Sequence, residues 1–73
     1  MIQRTAGMRL WRARRRHCHI DATITASGET WHVAYYRDDR PLMFREFGRE
    51  SDARADAATR LKDLQRAGWV VHW

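Results

Sequence analysis

Residues 18–37 read CHIDATITASGETWHVAYYR, and they carry the strongest structural signal in the chain. Apolar residues recur at every second position over 18–25, and large apolar residues do so again over 31–36. A period of two is typical of β-strands that bury one face. Ser27-Gly28 lies between the two runs, and glycine accepts the positive φ of a tight turn. The stretch therefore predicts an antiparallel hairpin.

The apolar faces of the two strands predict a register for this hairpin. If Ser27 and Gly28 form its tip, Ala26 lies opposite Glu29. The pairs on the apolar face are then Ile24 with Trp31, Ala22 with Val33, Ile20 with Tyr35, and Cys18 with Arg37. The pairs on the other face are Thr23 with His32, Asp21 with Ala34, and His19 with Tyr36. A shift by one residue would scatter the apolar pairs between the two faces.

One further strand is expected before the hairpin. Residues 1–8 show no periodicity, and we expect them to form a flexible lead-in. Arg9–Ala13 reads as a short strand, with either Leu10 or Trp11 facing the core. Residues 14–16, all arginine, read as the turn into the hairpin.

Downstream of the hairpin, residues 38–41 predict a turn that ends in proline, which cannot donate a ladder hydrogen bond. Residues 42–47 predict a fourth strand. Its apolar residues fall on both faces, so the strand either ends before Phe47 or bulges there. Residues 70–73 read as either a fifth short strand or an apolar tail.

A helix is expected between the fourth strand and this tail. Ser51 suits an N-cap, and Gly68 suits the C′ position, after which Trp69 folds back on the last turn. Asp56 and Arg60 form an i,i+4 ion pair of the favoured order. One apolar stripe connects the two ends, formed by Ala53, Ala57, Leu61 and Leu64 and widened by Ala58.

Together these elements predict an α+β fold, a four-stranded antiparallel β-meander followed by one α-helix packed on its apolar face (ββββα). Residues 9–73 would form a single small domain. At this length only about 60% of the chain's surface is buried on folding, so self-association would add useful burial.

The pattern resembles a group of small uncharacterised bacterial proteins, which implies the fold and no activity. The matching residues within Arg9–Trp69 are Trp11, Cys18, Trp31, Arg37-Asp38, Phe47, Ala57, Leu64 and Gly68-Trp69. A looser similarity, through residues 31–37, Phe47 and the helix, is to the arm-type DNA-binding domains of phage integrases. That similarity implies a small sheet that reads DNA.

Charge is distributed unevenly along the chain. The net charge is +5. Residues 1–16 contain six arginines and no acidic residue, whereas residues 17–73 contain eight basic and nine acidic side chains. The basic character therefore belongs to the amino-terminal segment. This uneven charge is the strongest functional signal in the sequence, and it indicates a polyanionic partner.

Enzymatic and metal chemistry find little support in the sequence. The single cysteine excludes an intrachain disulfide and a zinc site built on cysteines. In the register above, His19 and His32 would lie roughly 13 Å apart, too far to share a metal. Asp38-Asp39 and Cys18 read as turn and core residues. We therefore expect no enzyme activity, cofactor or metal. We also expect no membrane span or signal peptide, and a cytoplasmic protein.

Two functional hypotheses follow, both of them for a non-enzymatic binding module. The first is weakly sequence-specific binding of DNA or RNA, for which the candidate residues are Arg9, Arg12, Arg14, Arg15, Arg16, His19 and Tyr36. His32 would join His19 and Tyr36 as a base-stacking residue. The arginines would equally protect an edge strand from aggregation, or keep the protein soluble.

The second hypothesis is a protein-interaction or homodimerisation module, similar to small phage or plasmid regulators. It would use the uncovered sheet face and the tail. Its candidate anchors are Trp11, Tyr36, Trp69 and Trp73. Completion of a small core would equally explain Trp11 and Trp69.

Overall fold

A computed structural model of the chain describes residues 7–71 and confirms the α+β fold. Its elements are β1 (Met8–Arg15), β2 (Cys18–Ser27), β3 (Thr30–Arg37), β4 (Arg40–Phe47), α1 (Glu50–Arg66) and β5 (Val70–Val71). The strands form one antiparallel sheet in the order β4-β3-β2-β1-β5. The predicted lead-in is one residue too long because Met8 already pairs with Ile24. Residues 1–6 of that lead-in lie outside the described residues.

The central hairpin has the predicted faces, but the predicted register is wrong by two residues. Ile24 lies opposite Val33 rather than Trp31, and Ser27 lies opposite Thr30. The turn is therefore Gly28-Glu29, and Gly28 has a φ of 61° at its first central position. A type II′ turn requires this placement of glycine. An offset of two leaves every side chain on its predicted face.

The other two turns are shorter than predicted, since both flanking strands are longer. β1 continues through residues 14 and 15, so the first turn is only Arg16-His17, with Arg16 at a φ of 57°. Asp38 and Asp39 form the other turn, with φ values of 50° and 69°. Both values are positive, as in a type I′ turn, and aspartate tolerates this conformation. The proline at position 41 therefore belongs to β4.

A bulge in β1 decides which of its side chains face the core. Arg9 lies opposite Thr23 and Trp11 lies opposite Ala22, so Leu10 is the extra residue. Of the two alternatives, Trp11 is the core residue and is only 5% exposed. Its indole Nε1 donates a hydrogen bond of 2.9 Å to the carbonyl oxygen of Ala57 in α1.

A second bulge lies in β4, though not at Phe47 as predicted. Tyr35 pairs with Met43 while Tyr36 pairs with Pro41, which leaves Leu42 as the extra residue. Phe47 stays in the strand opposite Trp31. β4 thus turns Met43 and Phe47 towards the core.

The two ends of α1 differ in how well they match the sequence signals. Ser51 is not the N-cap: α1 begins at Glu50, after Arg49, with no side-chain cap. At the other end, Gly68 has a φ of 97° and donates to the carbonyl of Gln65, and Trp69 N–H donates to Leu64. These two bonds form a Schellman motif, which buries Trp69 as expected.

The core lies between α1 and the helix-facing side of the sheet. Its buried residues are Trp11, Ala13, Ile20, Ala22, Ile24, Val33, Tyr35, Ala53, Ala57 and Trp69, with Leu61 and Leu64 packed against them. The predicted helix stripe is thus confirmed, except that Ala58 is exposed. Ala53 and Ala57 lack bulk, and α1 can therefore approach the sheet closely.

One polar group, Tyr35, joins the helix to the sheet within this core. Tyr35 is 2% exposed, and its hydroxyl donates a 2.6 Å hydrogen bond to Asp56. Asp56 also lies 3.5 Å from Arg45 and 3.4 Å from Arg60, its predicted i,i+4 partner. Burial, and then the bond to Asp56, raise the pKa of the Tyr35 phenol above its ordinary value.

This raised pKa predicts a loss of stability in alkali that depends on Tyr35. An unfolded tyrosine ionises near pH 10, whereas folded Tyr35 keeps its proton to higher pH. Its contribution is complete below about pH 10 and is lost as the pH rises further. Thermal unfolding of wild type and Tyr35→Phe should therefore converge above about pH 10, while Tyr35→Phe costs about 1 kcal/mol at neutral pH. A constant difference across this range would contradict the prediction.

Strand β5 closes one edge of the sheet. Val70 pairs with Arg14 and Val71 pairs with Ala13, so the first alternative for the tail is confirmed for residues 70–71. Residues 72–73 lie outside the described residues. Within residues 7–71, the outer edge of β4 has no partner strand.

Candidate nucleic-acid interface

Pairing with carboxylates separates the described arginines into two groups. Five arginines lie within 4 Å of a carboxylate, namely Arg12, Arg45, Arg54, Arg60 and Arg66. Seven others in residues 7–71 have no such ion pair, namely Arg9, Arg14, Arg15, Arg16, Arg37, Arg40 and Arg49. Five of these seven lie at one end of the sheet, where the β1–β2 and β3–β4 turns meet. We call Arg14, Arg15, Arg16, Arg37 and Arg40 the arginine end.

The meander topology creates this end. Arg15 and Arg37 both point to the helix side of the sheet, since they pair with Cys18 and Ile20 respectively. Arg40 shares that side as the partner of Arg37. All five side chains of the arginine end are exposed to solvent. The positive charge therefore wraps around the end of the sheet from one face to the other.

Two hydrogen bonds hold the neighbouring turns in fixed positions. The backbone N–H of Asp38 donates to the carbonyl of His19 at 3.0 Å. The backbone N–H of His19 donates in return to the Asp38 carboxylate, also at 3.0 Å. His19 Nδ1 lies 3.6 Å from the same carboxylate. The Asp38 carboxylate is thus held against β2, and with Asp39 it places two negative charges between Arg37 and Arg40.

A pocket of about 280 Å³ lies among these arginines on the helix side. It is lined by Arg15, Arg16, Cys18, Arg37 and Trp69. Arg37 Nη2 lies 3.8 Å from the Cys18 sulfur. Three guanidinium groups around one opening suit an anion such as a phosphate, because arginine presents several donors in a fixed planar fork.

The remaining predicted arginines differ in their surroundings. Arg12 makes two hydrogen bonds to Asp21, at 2.7 Å and 3.2 Å. The first of these bonds is the main cause that raises the pKa of Arg12. Its positive charge is therefore largely compensated. Arg9 is exposed and lies opposite Thr23, five residues along β1 from Arg14.

All three predicted stacking residues, His19, His32 and Tyr36, lie on the sheet face opposite α1, which we call the open face. His19 lies opposite Arg14, and Tyr36 lies opposite Asp21. Both are partly exposed. They are not directly opposite each other as predicted, since Tyr36 lies in the row of Arg12 and Asp21.

The sequence analysis missed Arg37, Arg40 and Phe44. The basic run within residues 1–16 is visible as a segment, whereas Arg37 and Arg40 flank two aspartates and form no basic run. A meander brings alternate turns to the same end, so the predicted topology already placed residues 37–40 beside residues 14–16. The sequence predicts the fourth strand without fixing which of its residues face the core. Only the bulge at Leu42 places Phe44 on the open face.

Among the anchors of the alternative hypothesis, Trp11 and Trp69 belong to the core and are at most 9% exposed. Tyr36 remains accessible on the open face, and Trp73 lies outside the described residues. The large apolar residues that are exposed in residues 7–71 are instead Met8, Leu42, Phe44, Val70 and Val71.

Within residues 7–71, no group of three or more His, Cys, Asp or Glu side chains is close enough to hold a metal. His32 lies opposite Thr25, six residues along β2 from His19. As for membranes, α1 has 17 residues of mixed charge, and residues 7–71 contain no helix suited to crossing a bilayer.

Comparison with known proteins returned no match to a protein-family model, to a curated protein or to a solved structure. The two resemblances described above therefore stay predictions. The candidate site depends on its own geometry alone.

Proposed function

We propose that this protein is a non-enzymatic module that binds nucleic acid through phosphate contacts at the arginine end. The observation that carries the proposal is the gathering of five exposed arginines without carboxylate partners within residues 7–71. Neutralisation of phosphates by such residues releases counterions and supplies sequence-independent affinity. Phosphate contacts position a protein without reading bases, so weak sequence preference is expected.

The charges at the opposite end of the sheet support docking at the arginine end. There the β2–β3 turn, the end of β4 and the start of α1 lie together, and they contribute Glu29, Glu46, Glu50 and Asp52 beside Arg49 and Arg54. The arginine end has five arginines against Asp38 and Asp39. Positive charge therefore prevails at one end of the strands and not at the other, which favours docking of a polyanion at the arginine end.

Protein interaction is the second candidate, favoured by the unpartnered outer edge of β4 within residues 7–71. An eight-residue edge strand can accept a strand from another chain. Pro41 and the bulge at Leu42 interrupt this edge near its start, as protected edges often do. This interruption is the reason for ranking the hypothesis second.

An amide NMR titration with a mixed-sequence duplex at low salt tests the first candidate. The expected result is a cluster of shifts at residues 14–18 and 37–40, weakened by added salt. Residues 28–30 and 46–52, at the acidic end, serve as the internal control and should not shift. An unchanged spectrum at low salt, or shifts centred on the acidic end, would overturn the proposal.

A further inference from the structure

The open face of the sheet carries an exposed aromatic cluster. Phe44 is 64% exposed, and its ring lies 4.8 Å from that of His32 in an edge-on arrangement. Ala34 lies directly opposite Phe44, and its small side chain leaves the rings accessible from above. Tyr36 is the next residue of β3 on this face. A pocket of about 240 Å³ lies between Tyr36 and Phe44.

Nothing in residues 7–71 packs on this half of the face, because α1 occupies the other side of the sheet. At the β2 margin the chain does touch the face. Gly7 lies so near Thr23 that a Cβ atom added at position 7 would come within 2.6 Å of the Thr23 methyl carbon. The part over β3 and β4 stays uncovered by the described residues.

Positive charge lies beside the aromatic cluster. The bulge in β1 places Arg9 in the same row as Phe44, through Thr23 and Ala34. Arg14, on the same face, belongs to the arginine end. Two strand spacings, about 10 Å, separate β1 from His32 and Tyr36 on β3, and three, about 14 Å, separate it from Phe44 on β4. Of the nearest carboxylates, Asp21 is paired with Arg12, and Glu46 lies 3.5 Å from Nε2 of His32.

We propose that the open face binds single-stranded nucleic acid, with bases stacked on Phe44, His32 and Tyr36 and with the backbone directed towards Arg9 and Arg14. This inference rests on the proposed function and names its substrate class. Unpaired bases offer their ring faces to aromatic side chains, whereas duplex bases are stacked on one another. A duplex would therefore use the arginine end alone, and a single strand would use both surfaces.

The dimensions of the cluster favour this ligand over a second copy of the chain. The uncovered aromatic half spans two strands over about six residues, which is roughly 200 Å². A stable protein interface needs about 800 Å² from each partner. Two or three stacked bases, by contrast, need only the ring faces and a basic margin.

The test compares binding of a labelled oligothymidine and of a mixed-sequence duplex to wild type, Phe44→Ala and Met8→Ala. Met8 is the matched control, since it is 52% exposed and pairs with Ile24 on the helix side of the sheet, away from both the cluster and the arginine end. Phe44→Ala should weaken oligothymidine binding by about 5- to 100-fold and leave duplex binding unchanged. Met8→Ala should change neither affinity. An amide spectrum of each variant checks that the fold is retained.

The possible contrary results separate this inference from the proposed function. If the duplex binds but Phe44→Ala leaves oligothymidine affinity unchanged, the stacking inference is overturned, whereas the proposed binding of phosphates at the arginine end is retained. If neither ligand binds wild type at low salt, both are overturned. If wild type sediments as a dimer that Phe44→Ala dissociates, the face is a protein interface, and the stacking inference is again overturned.

Discussion

Replacing Trp11 by alanine is expected to lower the free energy of unfolding by about 3–5 kcal/mol. Trp11 is buried, packs 6.2 Å from the ring of Tyr35, and bonds to the Ala57 carbonyl of α1. Its loss would leave a cavity at the centre of the contact between helix and sheet. A chain of this size is stable by roughly 4–11 kcal/mol in total, so the variant should be close to unfolding.

Chemical denaturation measures this loss, and two further variants make it interpretable. Trp11→Phe keeps a large ring but removes the hydrogen bond, and should cost about 1–2 kcal/mol. Phe44→Ala also removes an aromatic ring, but from an exposed site, and should cost less than about 1 kcal/mol. If Trp11→Ala were no more destabilising than Phe44→Ala, the core described above would be wrong.

Replacing Arg14, Arg15 and Arg16 together by glutamine is expected to weaken duplex binding at low salt by roughly 10- to 100-fold. Three of the five charges of the arginine end would be lost, while Arg37 and Arg40 stay. Each of the three side chains is exposed, so their substitution should affect folding little.

A matched variant controls for overall charge. Arg49, Arg54 and Lys62 are also exposed basic residues, located before and along α1, and their replacement by glutamine removes the same number of positive charges. The ion pair of Arg54 with Glu50 is a surface pair that contributes little to stability. Duplex affinity should fall much less in this control. Equal losses in both variants would mean that net charge, and not the arginine end, attracts the duplex.

The faces of the central hairpin could be predicted from the sequence, whereas its register could not. Alternation identifies which side chains share a face, and Ile24 and Val33 both lie in the core as expected. The apolar pattern does not distinguish registers that differ by two residues, since both keep the same faces. Only the turn decides between them. Gly28 occupies the first central position of that turn and not the second.

For the candidate site, too, the sequence identifies the residues but not how they pair. The arginine run at positions 14–16 is visible in the sequence, but the compensation of Arg12 by Asp21 depends on the register of β1. That register is set by the two-residue turn Arg16-His17, whereas the sequence predicts a turn at residues 14–16. The position of this turn and the bulges at Leu10 and Leu42 therefore account for the largest gaps in the prediction of the site.

The most direct test of the arginine end is the salt dependence of duplex binding by the unmodified protein. Between about 50 and 200 mM salt, the logarithm of the binding constant should fall linearly with the logarithm of salt concentration, with a slope of roughly −3 to −4.5 for three to five phosphate contacts. The variant lacking Arg14, Arg15 and Arg16 should lose most of that slope, and the helix control should keep it. A slope near zero, or no binding at the lowest salt, would contradict a phosphate-binding role for this end of the sheet.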